Sequence, residues 1–447
     1  MSLRAEMRET LRLAGPLAGV QMLSMAMVFV DSLFVGRVGP DALAAMSMSV
    51  GLLSLVEIVC IGLLSTLTVF VAQEAGAGRP RAVAHTVRRG LVMAFALGAA
   101  VVVLSTLSPW ALRLLHQDAS LIPLARDFLL ALSLGMPGKL AFLALRNFCE
   151  GLSDIRPSVT VAAGAVALNA ALDYGLVLGR LGCPRLGLVG SGIATAMCSW
   201  GMFVALFVWV RRSPRYAAYR ISGDDEDDGH SLAEIVRVGL PFSGSLLAEI
   251  AFFAFASFVM GSISVQAQAA HQVAIGAVSF LFMIPLGTSF ALTIRVSRAR
   301  GADDAMGVRR AVQAGLLVTA AMQTVSALLF LLAPDVVVSL YTHDGAIVPL
   351  ATSLVRVAAL FQLFDGVQVA SMGILRGLVD AQVPLVITTF AYWAVGAPVS
   401  LICAFWLGCG PQGVWYGFVV GLGLAALLLQ LRIWKRLGAL ARTGVST

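Results

Sequence analysis

Five carboxylates, Asp31, Glu57, Asp173, Glu249 and Asp365, stand inside long runs of otherwise apolar residues. An aspartate at the centre of a membrane helix costs about 2.5 to 3.5 kcal/mol on insertion scales, so several in one chain point to use rather than decoration. Helical spacing sorts them into faces. Gln21, Ser24 and Asp31 follow at steps of three and seven, on one side of a helix, and Asn169 and Asp173 are one turn apart. Asp31, Asn169 and Asp173, joined by Thr195, supply the hard oxygens and negative charge that suit a proton or small alkali cation better than a soft metal. Farther along, Ser245 and Glu249 share a face, and Gln362, Asp365 and Gln368 run at three-residue steps as a second candidate site. Glu57 reads as a structural acid bonded to a neighbouring helix, and Lys139 as the one clear intramembrane cation. Lys139 and Asp365 fall at closely corresponding places in the two halves of the chain, so the halves carry opposite charges there.

Other side chains narrow the chemistry. Among Phe252, Phe253, Phe255 and Phe258, which spread around one helix, most are expected to face lipid, with Phe253 a candidate for a cavity wall that takes aromatic cations. Pro137-Gly138, Pro285 and Pro398 fall inside apolar stretches, where proline removes a backbone hydrogen bond and permits a bend. Of the five histidines, His85, His116, His230, His271 and His343, nearly all read as loop or helix-end residues, without HExxH. There is no Walker A sequence and no GxSxG elbow, so an enzyme is disfavoured, no cofactor or catalytic metal is expected, and the energy source is an ion gradient. Cys183 and Cys409 occupy corresponding outward loops and form a candidate disulfide; the other four cysteines read as packing residues.

These side chains must be positioned by helices in lipid. The chain has 447 residues, 59% hydrophobic and only 12% charged, an apolar excess beyond what a soluble core requires. Spans of about 20 apolar residues recur along it. They are expected at 11–36, 44–73, 88–110, 122–147, 157–180, 187–211, 235–260, 269–296, 308–332, 347–375, 384–406 and 411–433. The net charge of +7 sits in short clusters between spans, which argues against a nucleic-acid partner. Cytoplasmic termini place Arg79, Arg81, Arg88, Arg89, Arg211, Arg212, Arg298, Arg300, Arg309 and Arg310 inside, as the positive-inside rule requires. The first span carries Asp31 and reads as a retained helix rather than a cleaved signal.

The sequence also repeats. A shift of 225 positions superposes Pro16 on Pro241, Gly36 on Gly261, Gly62 on Gly287 and Gly90 on Gly315; one inserted residue later, Gly151 falls on Gly377 and Asp154 on Asp380. Six spans per repeat is an even number, so two six-helix bundles are expected to be related by a pseudo-twofold axis along the membrane normal. The expected all-α fold thus has twelve transmembrane helices in lobes at 1–212 and 232–447. Residues 213–231, with the acidic run Asp224 to Asp228, form the linker.

The run Val30-Asp31-Ser32-Leu33-Phe34-Val35-Gly36-Arg37-Val38-Gly39, after Pro16 and Gln21, resembles the first-helix signature of the multidrug and toxic compound extrusion (MATE) family. Glu150-Gly151-Leu152 before Arg156-Pro157, Gly192-Ile193-Ala194-Thr195, and Gln362-Leu363-Phe364-Asp365-Gly366 leading to Arg376-Gly377 are similar to that family's patterns in order and spacing. The resemblance covers essentially the whole chain, and Glu249 with Asp365 looks most like the NorM-type branch. It implies an antiporter that exports bulky organic, often cationic, compounds in exchange for Na+ or H+ by alternating access. By the same resemblance, Asp31, Asn169, Asp173 and Thr195 match a first-lobe ion site, and Glu249 and Asp365 a second-lobe site. The implied setting is the inner membrane, with the protein working as a monomer. The rival is a lipid-linked precursor flippase of the same superfamily, expected to line its cavity with cationic groups.

Overall fold

Proline placement starts many of the helices. Pro40, Pro80, Pro157 and Pro411 stand in the first turns of their helices, where the missing N–H breaks no hydrogen bond. In the computed structural model, which describes residues 3–219 and 229–443, the first half comprises α1 (Leu3–Gly36), α2 (Pro40–Gly76), α3 (Pro80–Ser105), α4 (Ser108–Leu114), α5 (Ile122–Ser133), α6 (Met136–Gly151), α7 (Arg156–Leu176) and α8 (Gly187–Arg212). A 3-10 turn, Pro214–Tyr219, follows. The second half comprises α9 (Leu232–Ile263), α10 (Val265–Gly301), α11 (Ala305–Leu332), α12 (Pro334–Ser339), α13 (Val348–Gly377), α14 (Gln382–Thr389), α15 (Ala397–Leu401) and α16 (Pro411–Thr443). Among the described residues eleven spans are long and apolar enough to cross a membrane, and α5 with α6, bent by 41°, makes the twelfth. The protein is an all-α, multi-pass membrane protein.

The expected helix breakers act in three ways. Pro137 opens α6 just after the α5–α6 break. Pro285 lies within a continuous α10. Pro398 stands in α15 between two π-helical stretches, Phe390–Gly396 and Ile402–Trp406, so the freed backbone is absorbed by local rewinding.

The chain divides into two compact units, residues 19–243 and residues 1–18 with 244–447. The boundaries, after Ala18 in α1 and after Ser243 in α9, stand one repeat length apart. Lobes drawn at 1–212 and 232–447 therefore exchange short ends. Arg295 of α10 pairs with Glu6 and donates to Thr10, tying the chain's start into the second unit. Ser243 donates to the Val59 carbonyl at 3.0 Å, within the first. The acidic run Asp224 to Asp228 lies outside the described residues.

In the first unit α6 packs against α2, α3 and α8. In the second, α13 is central, against α10, α11 and α16. Hydroxyls lock α10 to α13: Ser289 donates to the Val369 carbonyl (2.8 Å), Thr293 to Gly373 (2.9 Å) and Ser297 to Gly377 (3.3 Å). The four-residue steps on both helices make a ladder, and Gly373 and Gly377 permit the close approach, since a Cβ there would collide with Ser289 and with Val296 and the Thr293 carbonyl.

Candidate functional site

Within the first unit, three helices bring the predicted ion ligands together. Asp31 near the end of α1 is 7% exposed, while Asn169 and Asp173, one turn apart on α7, are fully buried. Thr195 of α8 donates to Asp31 Oδ2 at 3.2 Å. Asp173 and Asn169 face the Asp31 carboxyl, and Ser191, one turn before Thr195, faces Asp173. Asp31 Oδ1, both Asp173 oxygens, both polar atoms of the Asn169 amide and Ser191 Oγ are buried without a hydrogen-bond partner among the described residues. Buried polar atoms left unpaired cost about 1–3 kcal/mol each, which makes the cluster a candidate site for an occupant. Two carboxylates, an amide and hydroxyls offer an all-oxygen set that can hold a proton or a small alkali cation. Ser191 escapes the sequence reading, although its four-residue spacing from Thr195 is a signal that could have found it.

Two other residues expected on the Asp31 face have different roles. Gln21 accepts from Arg146 Nη2 at 2.9 Å. Ser24 is exposed and returns its hydroxyl to the Val20 carbonyl at 3.1 Å. The structure also corrects the reading of Lys139 as the one intramembrane cation. Arg146 is buried in α6, where its Nε donates to Glu150 at 2.6 Å, and Arg376 is buried in α13. Both escape a reading by apolar runs because they lie near expected span ends, and the helices run longer than those runs. Glu57 is ion-paired with Lys139 at 2.5 Å.

The second unit gathers Glu249 of α9, Asp365 of α13 and their neighbours. Asp365 is 1% exposed, Gln362 and Gln368 are buried, and Glu249 keeps partial exposure. Glu249 acts electrostatically on Asp365, and the Gln368 amide and Arg376 guanidinium act on Glu249. Tyr392, fully buried, lies close to both acids and to Gln368, and its hydroxyl has no partner among the described residues. Gln362 is held by Gln323, whose Nε2 donates to its carbonyl at 2.6 Å and its Oε1 at 3.1 Å. Phe253 packs on Phe418 with ring centroids 4.9 Å apart, so it belongs to an aromatic cluster, whereas Phe258 is 80% exposed.

His271 is a histidine that lies away from a loop or helix end. It is fully buried in α10, its Nε2 3.1 Å from Ser257 Oγ. The helix begins at Val265, four residues earlier than the apolar run, and so encloses it. Cys183 and Cys409 are free thiols.

Two repeat-related carboxylates brace the turns after α6 and α13. Tyr216 donates to Asp154 Oδ2 at 2.8 Å, and Arg432 and Arg436 donate to Asp380 Oδ2 at 2.8 and 2.6 Å. Burial pushes the Asp380 carboxyl up, but the two arginine hydrogen bonds win and hold it below the ordinary carboxylate range.

Comparison with known proteins matches this arrangement. The MatE family model matches residues 16–175 and again 241–402, two copies whose starts are separated by the same repeat length. The chain is 37% identical to the "Probable multidrug resistance protein NorM" of Pseudomonas putida over 99% of this chain and 97% of that one. It is 34% identical to the "Multidrug resistance protein PmpM" of Pseudomonas aeruginosa, over 97% and 92%. The fold is similar to a crystal structure of the eukaryotic MATE transporter AtDTX14, with a TM-score of 0.85 at 24% identity over 99% and 98% of the two chains. It is also similar to a crystal structure of MATE in the bent conformation, with a TM-score of 0.91 at 19% identity over 99% and 98%. With two copies of the family model end to end and such relatives matched along nearly their whole length, the chain belongs to the MatE family, on its NorM-type branch.

Proposed function

We propose that this protein exports bulky organic, often cationic, compounds across the inner membrane in exchange for Na+ or H+, by alternating access, with both termini in the cytoplasm and the monomer as the working unit. The observation that carries the reading is the meeting of Asp31, Asn169, Asp173 and Thr195 from three helices, with most of their polar atoms unpaired. Asp31 and Asp173 are the charged ligands of the coupling ion, Asn169 and Thr195 its neutral ones. An ion bound there links α1 to α7 and α8, so loading and release bias the position of α1. Glu249 and Asp365 form a second acidic site, shared between ion and substrate. Gln362 and Gln368 support its wall, with Phe253 beside it.

The test is efflux of a fluorescent organic cation from proteoliposomes with sodium and proton gradients imposed separately. Uphill movement under at least one gradient supports antiport. Movement only down the dye's own gradient indicates a channel. Movement of a lipid-linked pyrophosphate instead of the dye indicates the flippase.

A further inference from the structure

One charged group of the first unit belongs neither to the Asp31 cluster nor to the packing. Lys139 lies in α6, whose neighbours in sequence, Gly138, Leu140 and Ala141, are buried, yet its own side chain is 44% exposed. A lysine ammonium at membrane depth is not stable against hydrocarbon, so an accessible one faces a polar space. Its surroundings agree. Lys139 Nζ is 2.5 Å from Glu57 Oε1 of α2, and its charge reaches Asp31 of α1. Arg146, two turns on along the same face, is sequestered by Glu150 and Gln21. Lys139 is thus the accessible cation of this face. At the corresponding place of the second repeat stands Asp365, an acid only 1% exposed.

We propose that Lys139 is a subsite for the carboxylate of an amphiphilic substrate, so that the first unit reads organic anions and zwitterions. Glu57 is its resident stand-in: a side-chain carboxylate already sits at charge-assisted hydrogen-bond distance from the ammonium, and a substrate carboxylate takes its place by exchange. A compact ammonium on a flexible stem suits this, since it can follow either partner. A cationic substrate gains no contact from Lys139, so the residue sets specificity between substrates. The inference rests on the exporter reading above and extends it to a substrate class.

The experiment uses the full-length purified protein and two fluorescent probes: a xanthene dye with a free benzoate and the methyl ester of the same dye. Lys139→Gln is expected to weaken binding of the free acid by about tenfold, the scale of one charged hydrogen bond, and to leave the ester unchanged. Glu57→Gln, which removes the competitor, is expected to tighten the acid alone. Where a single variant fails to fold, the double variant Lys139→Gln/Glu57→Gln removes the pair without stranding a charge, and it too must lose preference for the acid. Equal effects on both dyes, unchanged acid binding in the double variant, or no binding of the acid by the parent overturns the proposal. Acid binding without export of the ester contradicts the cation-export reading and leaves the Lys139 subsite standing.

Discussion

The repeat gives the two units similar helices but not the same charges. Shifted by one repeat length, Asp31, Asn169, Asp173 and Thr195 fall on Ala256, Val395, Val399 and Gly421, so the first unit's whole oxygen cluster is absent from the second. In return, Glu249, Asp365 and Arg376 fall on Ser24, Lys139 and Glu150. The Asp31 group contains two acids and three neutral polar side chains, most of them buried, with the charge of Lys139 acting on Asp31. The Glu249 group is open at Glu249 and has a buried guanidinium, Arg376, acting on it. An oxygen-rich set of two acids and small neutral groups suits a small ion, and a partly buried acid with a buried one near aromatic rings suits an ion and a larger cation in turn. Duplication accounts for the shared scaffold and divergence for the different charges, and the proposed division of work rests on that difference.

The largest expected effect separates the two groups. Asp31→Asn keeps the side chain's shape and removes its charge, and is expected to cut gradient-driven export by on the order of a hundredfold, the upper end of measured coupling. Full transport by a well-folded Asp31→Asn protein would falsify the division of labour. Within the cluster, Asp173→Asn should weaken ion binding, and the double variant with Asp31→Asn should cost less than the two single effects combined, by roughly 1–3 kcal/mol in a double-mutant cycle. Strict additivity would mean the two acids act apart. In the second unit, a cationic drug and the coupling ion should weaken each other's equilibrium binding by the same factor, and Asp365→Asn should reduce that factor several-fold. Antagonism unchanged in both Asp365→Asn and Glu249→Gln would remove this pair from the mechanism.

The smallest effects concern the braces, where the repeat kept the acid and changed its partners. Asp380→Asn strands two arginines and should cost roughly 1–3 kcal/mol of stability near neutral pH, discounted because Arg436 is half exposed. Because the native Asp380 carboxyl is held low, its contribution is present above the unfolded carboxylate value of about 3.9 and lost only as pH falls through the native value. The thermal-stability difference between parent and variant should therefore close only in strong acid. Asp154→Asn should cost less, under about 1 kcal/mol, since an amide oxygen still accepts from Tyr216 and Arg215 is mostly exposed.

Much of this was legible in the sequence because a membrane makes polar residues conspicuous. Asp31, Asn169, Asp173 and Thr195 could be grouped from helical spacing and resemblance, and the twelve spans from length alone. Residues near span ends were harder. Glu150 and Arg376 lie on turns that extend past the expected spans, and Arg146 and His271 within two residues of a span end, since helices such as α2 and α10, each 37 residues, outrun a bilayer that about 20 can cross. The Lys139–Glu57 pair was hidden for another reason. Each residue was visible, but the meeting of α6 with α2 is a tertiary fact that periodicity within one helix does not carry. The exchange of α1 and α9 ends between units was illegible for the same reason.

The most direct measurement is the number of coupling ions bound at equilibrium by purified protein, for the parent, Asp31→Asn and Asp365→Asn, at saturating ion and without drug. Asp31→Asn is expected to lose the high-affinity ion of the Asp31 pocket, and Asp365→Asn to keep it. Retention of that ion by Asp31→Asn, with its loss in Asp365→Asn, would contradict the assignment of coupling to the first unit.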